Sequence, residues 1–210
     1  MNLPNKITTF RMVLVVVLIL LLSICGAIGF TGPYLWGDAD TGVSLIQFIA
    51  LIIFVVASLS DFFDGYIARK YNLVTTYGKF MDPIADKLLV NSLLIIYALP
   101  FSADGFGFLG KTGVPLICVV LMIARDIIVD AIRMISVEKN VVIAASWFGK
   151  IKTVLQMVAI ILVLLNNWPF VYLNWTVNVT NIIVGLATIV SVASGIDYLV
   201  KSKSLFVGDK

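Results

Sequence analysis

The sequence predicts an all-α integral membrane protein of six transmembrane helices with both termini cytoplasmic, and three observations predict it. Of its 210 residues 60% are hydrophobic and only 13% charged, whereas a soluble domain carries about a quarter charged residues and under half apolar ones. The mean hydropathy of +1.06 comes from long apolar blocks, and six of them reach the ~20 residues that a helix needs to cross a bilayer. The basic residues are distributed very unevenly between the two ends of those blocks.

The blocks lie near residues 12–31, 44–67, 82–101, 113–136, 148–166 and 176–200. The first follows Arg11 and lacks a clear small-residue cleavage site, so it reads as a retained span rather than a signal peptide. Gly32-Pro33 and Gly37 break the chain after it, Pro100 after the third, and Asn166-Asn167-Trp168-Pro169 after the fifth. The third begins with Asp82 and Asp86, so its lipid-facing stretch starts later than the block itself. No repeat or low-complexity linker interrupts the pattern, so residues 1–210 read as a single membrane domain. Cys25 and Cys118 fall inside apolar runs, where packed thiols are favoured over a disulfide.

An N-terminus in the cytoplasm puts Lys6, Arg11, Arg69, Lys70, Lys79, Arg133, Lys139, Lys150, Lys152, Lys201 and Lys203 on or near that side. Only Lys111 then lies in an outer loop, together with Asp38, Asp40 and Asp104. Trp36, Trp168 and Trp175 mark outer ends of spans, as interfacial anchors do. The net charge of +3 is too small to argue for nucleic acid. The chain has no histidine, which removes the commonest general base and transition-metal ligand. Any metal must then rest on oxygen, which suits Mg²⁺, Mn²⁺ or Ca²⁺ rather than zinc.

Residues 61–86 read DFFDGYIARKYNLVTTYGKFMDPIAD. Asp61 and Asp64 are three apart, Asp82 and Asp86 four apart, so each pair shares a helix face. The short link from Lys70 to Tyr77 makes the two helices antiparallel neighbours whose acidic faces can meet. Four carboxylates at membrane depth need countercharge. Arg69, Lys79 and Lys87 are one source, and a pair of divalent cations clamped between the two helices is the other. Gly65 and Ala68 let a ligand approach the backbone, or simply allow close helix packing.

The pattern D-x-x-D-G-x-x-A-R, eight residues, G-x-x-x-D-x-x-x-D resembles the signature of the CDP-alcohol phosphotransferase family. Here it is Asp61, Asp64, Gly65, Ala68, Arg69, Gly78, Asp82 and Asp86. A chance match is on the order of 10⁻¹⁰ per starting position at average residue usage. The resemblance implies a six-helix fold, a homodimer, and a polar cavity open to the cytoplasm in the cell membrane. It implies that Asp61, Asp64, Asp82 and Asp86 hold two Mg²⁺ or Mn²⁺ ions, with Asp86 also the general base. Gly65, Arg69, Thr75 and Gly78 would line the site for the CDP group of CDP-diacylglycerol.

The acceptor alcohol must be read outside this signature. Residues 2–11, NLPNKITTFR, resemble the start of phosphatidylglycerophosphate synthases, in which Asn5 and Thr8 would approach the CDP group; alternatively either residue caps a helix. Asp126, Asp130 and Arg133 share one face of the fourth span and could pair among themselves. Lys150 and Lys152 could be plain interfacial anchors. The functional alternative is a basic pocket of Arg125, Arg133, Lys150 and Lys152 that binds a phosphate on the acceptor. That alternative, with the likeness of residues 124–126 and 149–153 to the same synthases, points to sn-glycerol 3-phosphate. Inositol phosphate or phosphatidylglycerol as acceptor, and a membrane transporter, are the rival readings. A transporter predicts charges spread along a transmembrane path and often an internal repeat, neither of which this sequence displays.

Overall fold

The computed structural model describes residues 3–37, 41–71, 75–99, 114–139, 147–172 and 179–203. Six long helices carry the fold: α1 (Leu3–Ile28), α2 (Leu45–Lys70), α3 (Thr76–Ala98), α4 (Leu116–Glu138), α5 (Trp147–Leu164) and α6 (Val179–Lys201). α1 packs on α2 and α3, α6 packs on α4 and α5, and α3 and α5 join the two groups. Four helices, α1, α2, α5 and α6, are long and apolar enough to cross a membrane by length and composition alone. α3 and α4 carry the aspartates and arginines of the site within their length.

The core is built from interdigitated aliphatic side chains such as Leu18, Leu22, Phe54, Leu93, Met122 and Ile160, all buried. Ala50, Ala57, Ala85, Ala159 and Ala187 are fully covered, as expected where small residues let helix backbones approach in a membrane. The opposite flanks present bare apolar side chains, with Ile28, Ile117, Ile127 and Ile189 each more than 60% exposed. Water would penalise such a surface, whereas lipid solvates it. Cys25 and Cys118 are free thiols packed against the core.

The helix boundaries differ from the sequence expectation in ways that local chemistry explains. α1 begins at Leu3 rather than near residue 12, so the polar segment before the apolar run is the first turns of the same helix. α3 begins six residues before Asp82. Its N-cap is Thr75, whose hydroxyl accepts from the Gly78 N–H at 3.1 Å, so both acidic residues lie inside the helix. Pro83 in the second turn of α3 has no N–H to donate to Lys79, which leaves that carbonyl free of its helical bond. α2 opens on a capping box, with Ser44 and Gln47 exchanging side-chain to backbone bonds.

At the far end of the bundle a two-strand hairpin, β1 (Tyr34–Trp36) and β2 (Val43–Ser44), was not foreseen from the sequence. Gly37 makes its turn possible. Its φ is +72°, and an added Cβ would stand 2.7 Å from the Gly42 Cα, which no other residue tolerates. Trp36 packs against Trp168 at 5.8 Å between ring centroids. Asn166 and Asn167 adopt positive φ and end the fifth helix. Asn166 donates to the Gly42 carbonyl, and the Asn167 side chain accepts from Thr180 at the start of α6. Asp38, Asp40, Pro100, Asp104, Lys111 and Trp175 lie outside the described residues.

Candidate active site

The polar residues gather at the other end, where α1, α3 and α5 begin and α2, α4 and α6 finish. Asp61 and Asp64 sit near the end of α2, and Asp82 and Asp86 lie on the early turns of α3. The two acidic helices meet on α1. The Thr8 hydroxyl, 1% exposed, stands 3.2 Å from Asp64 Oδ2 and 3.0 Å from Asp82 Oδ1 and can donate to either. Three residues on, the wholly buried Arg11 pairs with Asp61 through Nη1. Its Nη2 lies 3.4 Å from both the Asp82 carboxylate and the Asp82 carbonyl. The Gly65 N–H donates to Asp64.

Arg11 is therefore the countercharge that the acidic pair requires. In the sequence Arg11 is visible only as one of the positive-inside residues, and Arg69, Lys79 and Lys87 are the nearer candidates for neutralisation. Lys87 instead pairs with Asp130 on α4, and the side chains of Arg69 and Lys79 lie outside the described residues. The helix-cap alternative for Asn5 and Thr8 is also corrected. Both lie inside α1 rather than at its cap position, and their side chains bond across helices, Asn5 to Thr75 and Thr8 to Asp64 and Asp82.

Asn5 Oδ1 accepts from the Thr75 hydroxyl at 2.6 Å. Gly78 faces both of them: a Cβ there would lie 3.4 Å from Thr75 Oγ1, 3.7 Å from Asn5 Oδ1 and 3.8 Å from Asp82 Oδ2. Asn5, Thr8, Thr75 and Gly78 thus form one polar wall beside Asp64 and Asp82, open where the glycine leaves room.

Asp86 lies one turn beyond Asp82 and opens onto a cavity of about 280 Å³. Arg125, Arg133, Lys150 and Lys152 all line it, along with Lys87, Asp126, Asp130, Thr153, Gln156 and Tyr198. The charges acting on Asp86 come from both sides, from Arg11 and from Lys152, Asp126 and Lys87.

Among the described residues the cavity's charges pair mainly between helices, and the pair along α4 is the adjacent Arg125 and Asp126 rather than Asp126, Asp130 and Arg133 with one another. Lys152 Nζ lies 2.5 and 2.6 Å from the two Asp126 oxygens, and Arg125 Nη1 reaches Asp126 at 2.9 Å. Arg133 Nη2 donates to the Tyr198 hydroxyl at 3.0 Å. Lys152 is buried, so it is not an interfacial anchor; Lys150 is exposed, with its ammonium 5.1 Å from the Trp147 ring centroid. Arg11, Lys87, Ser194 and Tyr198 belong to the site as well. Only the charge of the first two marks them in the sequence, and nothing marks the last two until α6 is placed.

The profile of the CDP-alcohol phosphatidyltransferase family matches residues 1–193. The chain belongs to that family. It is an all-α, multi-pass membrane protein by its apolar helices and its relatives. It is 34% identical over 204 residues to the CDP-diacylglycerol–glycerol-3-phosphate 3-phosphatidyltransferase of Bacillus subtilis, covering 96% of this chain and 95% of that one. The Rickettsia typhi protein of the same name is 35% identical over 207 residues, covering 98% and 99%. The Mycoplasma genitalium one is 32% identical over 160 residues, covering 76% of this chain and 63% of its own length.

The family is in general dependent on divalent metal. The donors here fit a hard divalent cation in chemistry, being carboxylates and hydroxyls only. Asp61 and Asp82 already converge on a positive centre, the Arg11 guanidinium, whose buried Nε finds no acceptor. Among the described residues no group of three or more His, Cys, Asp or Glu side chains stands at ligand spacing; the carboxylates face Arg11 and Thr8.

Proposed function

We propose that this protein transfers the phosphatidyl group of CDP-diacylglycerol to sn-glycerol 3-phosphate, giving phosphatidylglycerophosphate and CMP. One observation carries the reading. Asp86 stands between the acidic cluster on α1, α2 and α3 and a cavity lined by four cations from α4 and α5. A donor pyrophosphate on one side and a phosphorylated alcohol on the other would meet at that carboxylate.

Asp61, Asp64, Asp82 and Asp86 would hold two Mg²⁺ or Mn²⁺ ions, which when bound neutralise the pyrophosphate and make CMP a better leaving group. The chain's own residues do the rest. Asn5, Thr8, Gly65, Arg69, Thr75 and Gly78 hold the CDP group, with Gly78 leaving space for it against the start of α3. Asp86 takes the proton of the attacking hydroxyl as the bond from that oxygen to the phosphatidyl phosphorus forms and the bond to CMP breaks. With no histidine in the chain, a carboxylate is the group available for that step.

Arg125, Arg133, Lys150 and Lys152 receive the acceptor's phosphate. The guanidinium groups suit it best, since each presents several donors in a fixed plane. Lys152 and Arg125 are held by Asp126 in the meantime, which keeps buried cations compensated. All six helices cross the membrane in this reading, as one domain, with the site and both termini at the cytoplasmic face. The acyl chains of the donor then stay in the bilayer, beside the lipid-facing flanks of α2 and α3. The family resemblance adds a homodimer, which the mass of the detergent-solubilised protein tests.

The experiment is CMP release from CDP-diacylglycerol by purified protein with Mg²⁺ or Mn²⁺ and one acceptor at a time. Release with glycerol 3-phosphate that EDTA abolishes is expected. Release with serine, inositol, inositol phosphate or phosphatidylglycerol in its place overturns the acceptor assignment.

A further inference from the structure

We infer that α6 fixes the acceptor-phosphate cations in place, with Tyr198 as the positioning residue for Arg133 and Arg125, and with Ser194 and Gly195 seating Arg125. The inference rests on the proposed function and assigns a role to a helix that contributes none of the motif residues.

Arginine on a long stem in an open cavity has many rotamers, and ordering it costs entropy at each binding event. Here that order is built in beforehand. Tyr198 is 2% exposed, yet its ring lies under two guanidinium groups, 5.4 Å from that of Arg133 and 5.9 Å from that of Arg125. Its hydroxyl accepts from Arg133 Nη2 at 3.0 Å. One turn earlier, Ser194 Oγ accepts from Arg125 Nη2 at 2.5 Å. Gly195 lets the stem of Arg125 lie directly on α6, since a Cβ there would stand 2.9 Å from Arg125 Cγ.

Residues 194, 195 and 198 share one helix face, so a single element aims both guanidinium planes. A guanidinium has five N–H donors. Tyr198 takes one from Arg133, and Ser194 and Asp126 take two from Arg125, so each group keeps donors for an anion in the cavity. A tyrosine merely filling the core would have apolar neighbours and would be replaceable by phenylalanine. Here the phenylalanine variant leaves an Arg133 N–H without its acceptor. Tyr198 itself need not touch the substrate; it acts through the arginines.

The test uses the purified full-length protein with CDP-diacylglycerol and glycerol 3-phosphate, and inorganic phosphate as a competing probe. Tyr198→Phe should raise KM for glycerol 3-phosphate and the inhibition constant of phosphate together, about 3- to 10-fold, the range of one ordinary lost hydrogen bond acting through a positioned side chain. Its kcat and its KM for CDP-diacylglycerol should stay within about twofold. Tyr198→Leu and Gly195→Ala should act in the same direction, Tyr198→Leu by about 10- to 100-fold because the cation–π face is lost too. Tyr198→Phe added to Arg133→Ala should have no further effect, as coupled residues require.

An unchanged phosphate inhibition constant in Tyr198→Phe overturns the inference. So does a parallel rise in KM for both substrates, which a general loss of packing would give. Wild-type protein that uses another alcohol would reject the acceptor assignment instead, and the phosphate constants of the variants would still decide the role of α6.

Discussion

The acidic and basic halves of the site solve the same electrostatic problem in different ways. In the acidic half, carboxylates from α2 and α3 gather around one buried arginine and one hydroxyl of α1, with a glycine left as open space. In the basic half, the described cations other than Lys150 each have a partner on another helix: Lys152 on Asp126, Lys87 on Asp130, Arg133 on Tyr198 and Arg125 on Ser194, with Asp126 shared by Arg125. The first is a cluster whose charge is only partly compensated, where the proposed metals would sit. The second is a set of donors held in position, where the proposed acceptor phosphate would bind. Asp86 is where they join.

The largest effect should come from breaking that join. Asp86→Asn keeps the shape and removes the proposed base, so CMP release should fall by about 10²–10⁴-fold, the usual contribution of general base catalysis. The variant should remain folded by its melting curve in detergent. Wild-type turnover in Asp86→Asn would remove the residue from the mechanism.

Next in size, Arg11→Met should expose how far the acidic half depends on its internal cation. Asp61 and Asp82, both partly exposed, lose the buried cation that holds them together, so the melting temperature should drop. Mn²⁺ should restore more of that loss in the variant than it adds to the wild type, because binding to the folded state alone stabilises it. Equal metal-induced shifts in both proteins would mean that Arg11 does not share the space of the carboxylates.

On the basic side, Lys152→Met should raise KM for glycerol 3-phosphate by about 10-fold or more while leaving KM for CDP-diacylglycerol in place. A change confined to CDP-diacylglycerol would move Lys152 into the other half. The smallest effect belongs to the far end of the bundle. Gly37→Ala should lower stability by about 1–2 kcal/mol through backbone strain without altering either KM, since the hairpin lies away from both halves.

The two halves also differ in how much of them can be read from a sequence. Asp61, Asp64, Gly78, Asp82 and Asp86 fall within one short stretch, and helical spacing alone puts each acidic pair on a face. Even there, the partners Thr8 and Arg11 lie fifty or more residues earlier in the chain, and Arg11 reads as one more interfacial cation until α1 is packed. The six-helix architecture follows from apolar block length, whereas the start of α3 depends on the hydroxyl of Thr75, which block length does not sense.

The basic half is assembled from α3, α4, α5 and α6. Its cations are visible as charges at membrane depth, but their pairing is not: spacing allows Asp126, Asp130 and Arg133 to pair with one another along α4, whereas Asp126 takes Lys152 and Arg125, Asp130 takes Lys87 and Arg133 takes Tyr198. Ser194, Gly195 and Tyr198 look like ordinary helix residues. Only contact with Arg125 and Arg133 gives them meaning.

The central claim is that a basic cavity chooses a phosphorylated acceptor for a donor activated next to it. The most direct measurement offers the purified protein CDP-diacylglycerol, a divalent cation and equal concentrations of glycerol 3-phosphate and glycerol, and reads the lipid product by mass. Phosphatidylglycerophosphate as the sole product is the expected result. Phosphatidylglycerol formed directly from glycerol, in comparable amount, would contradict the account.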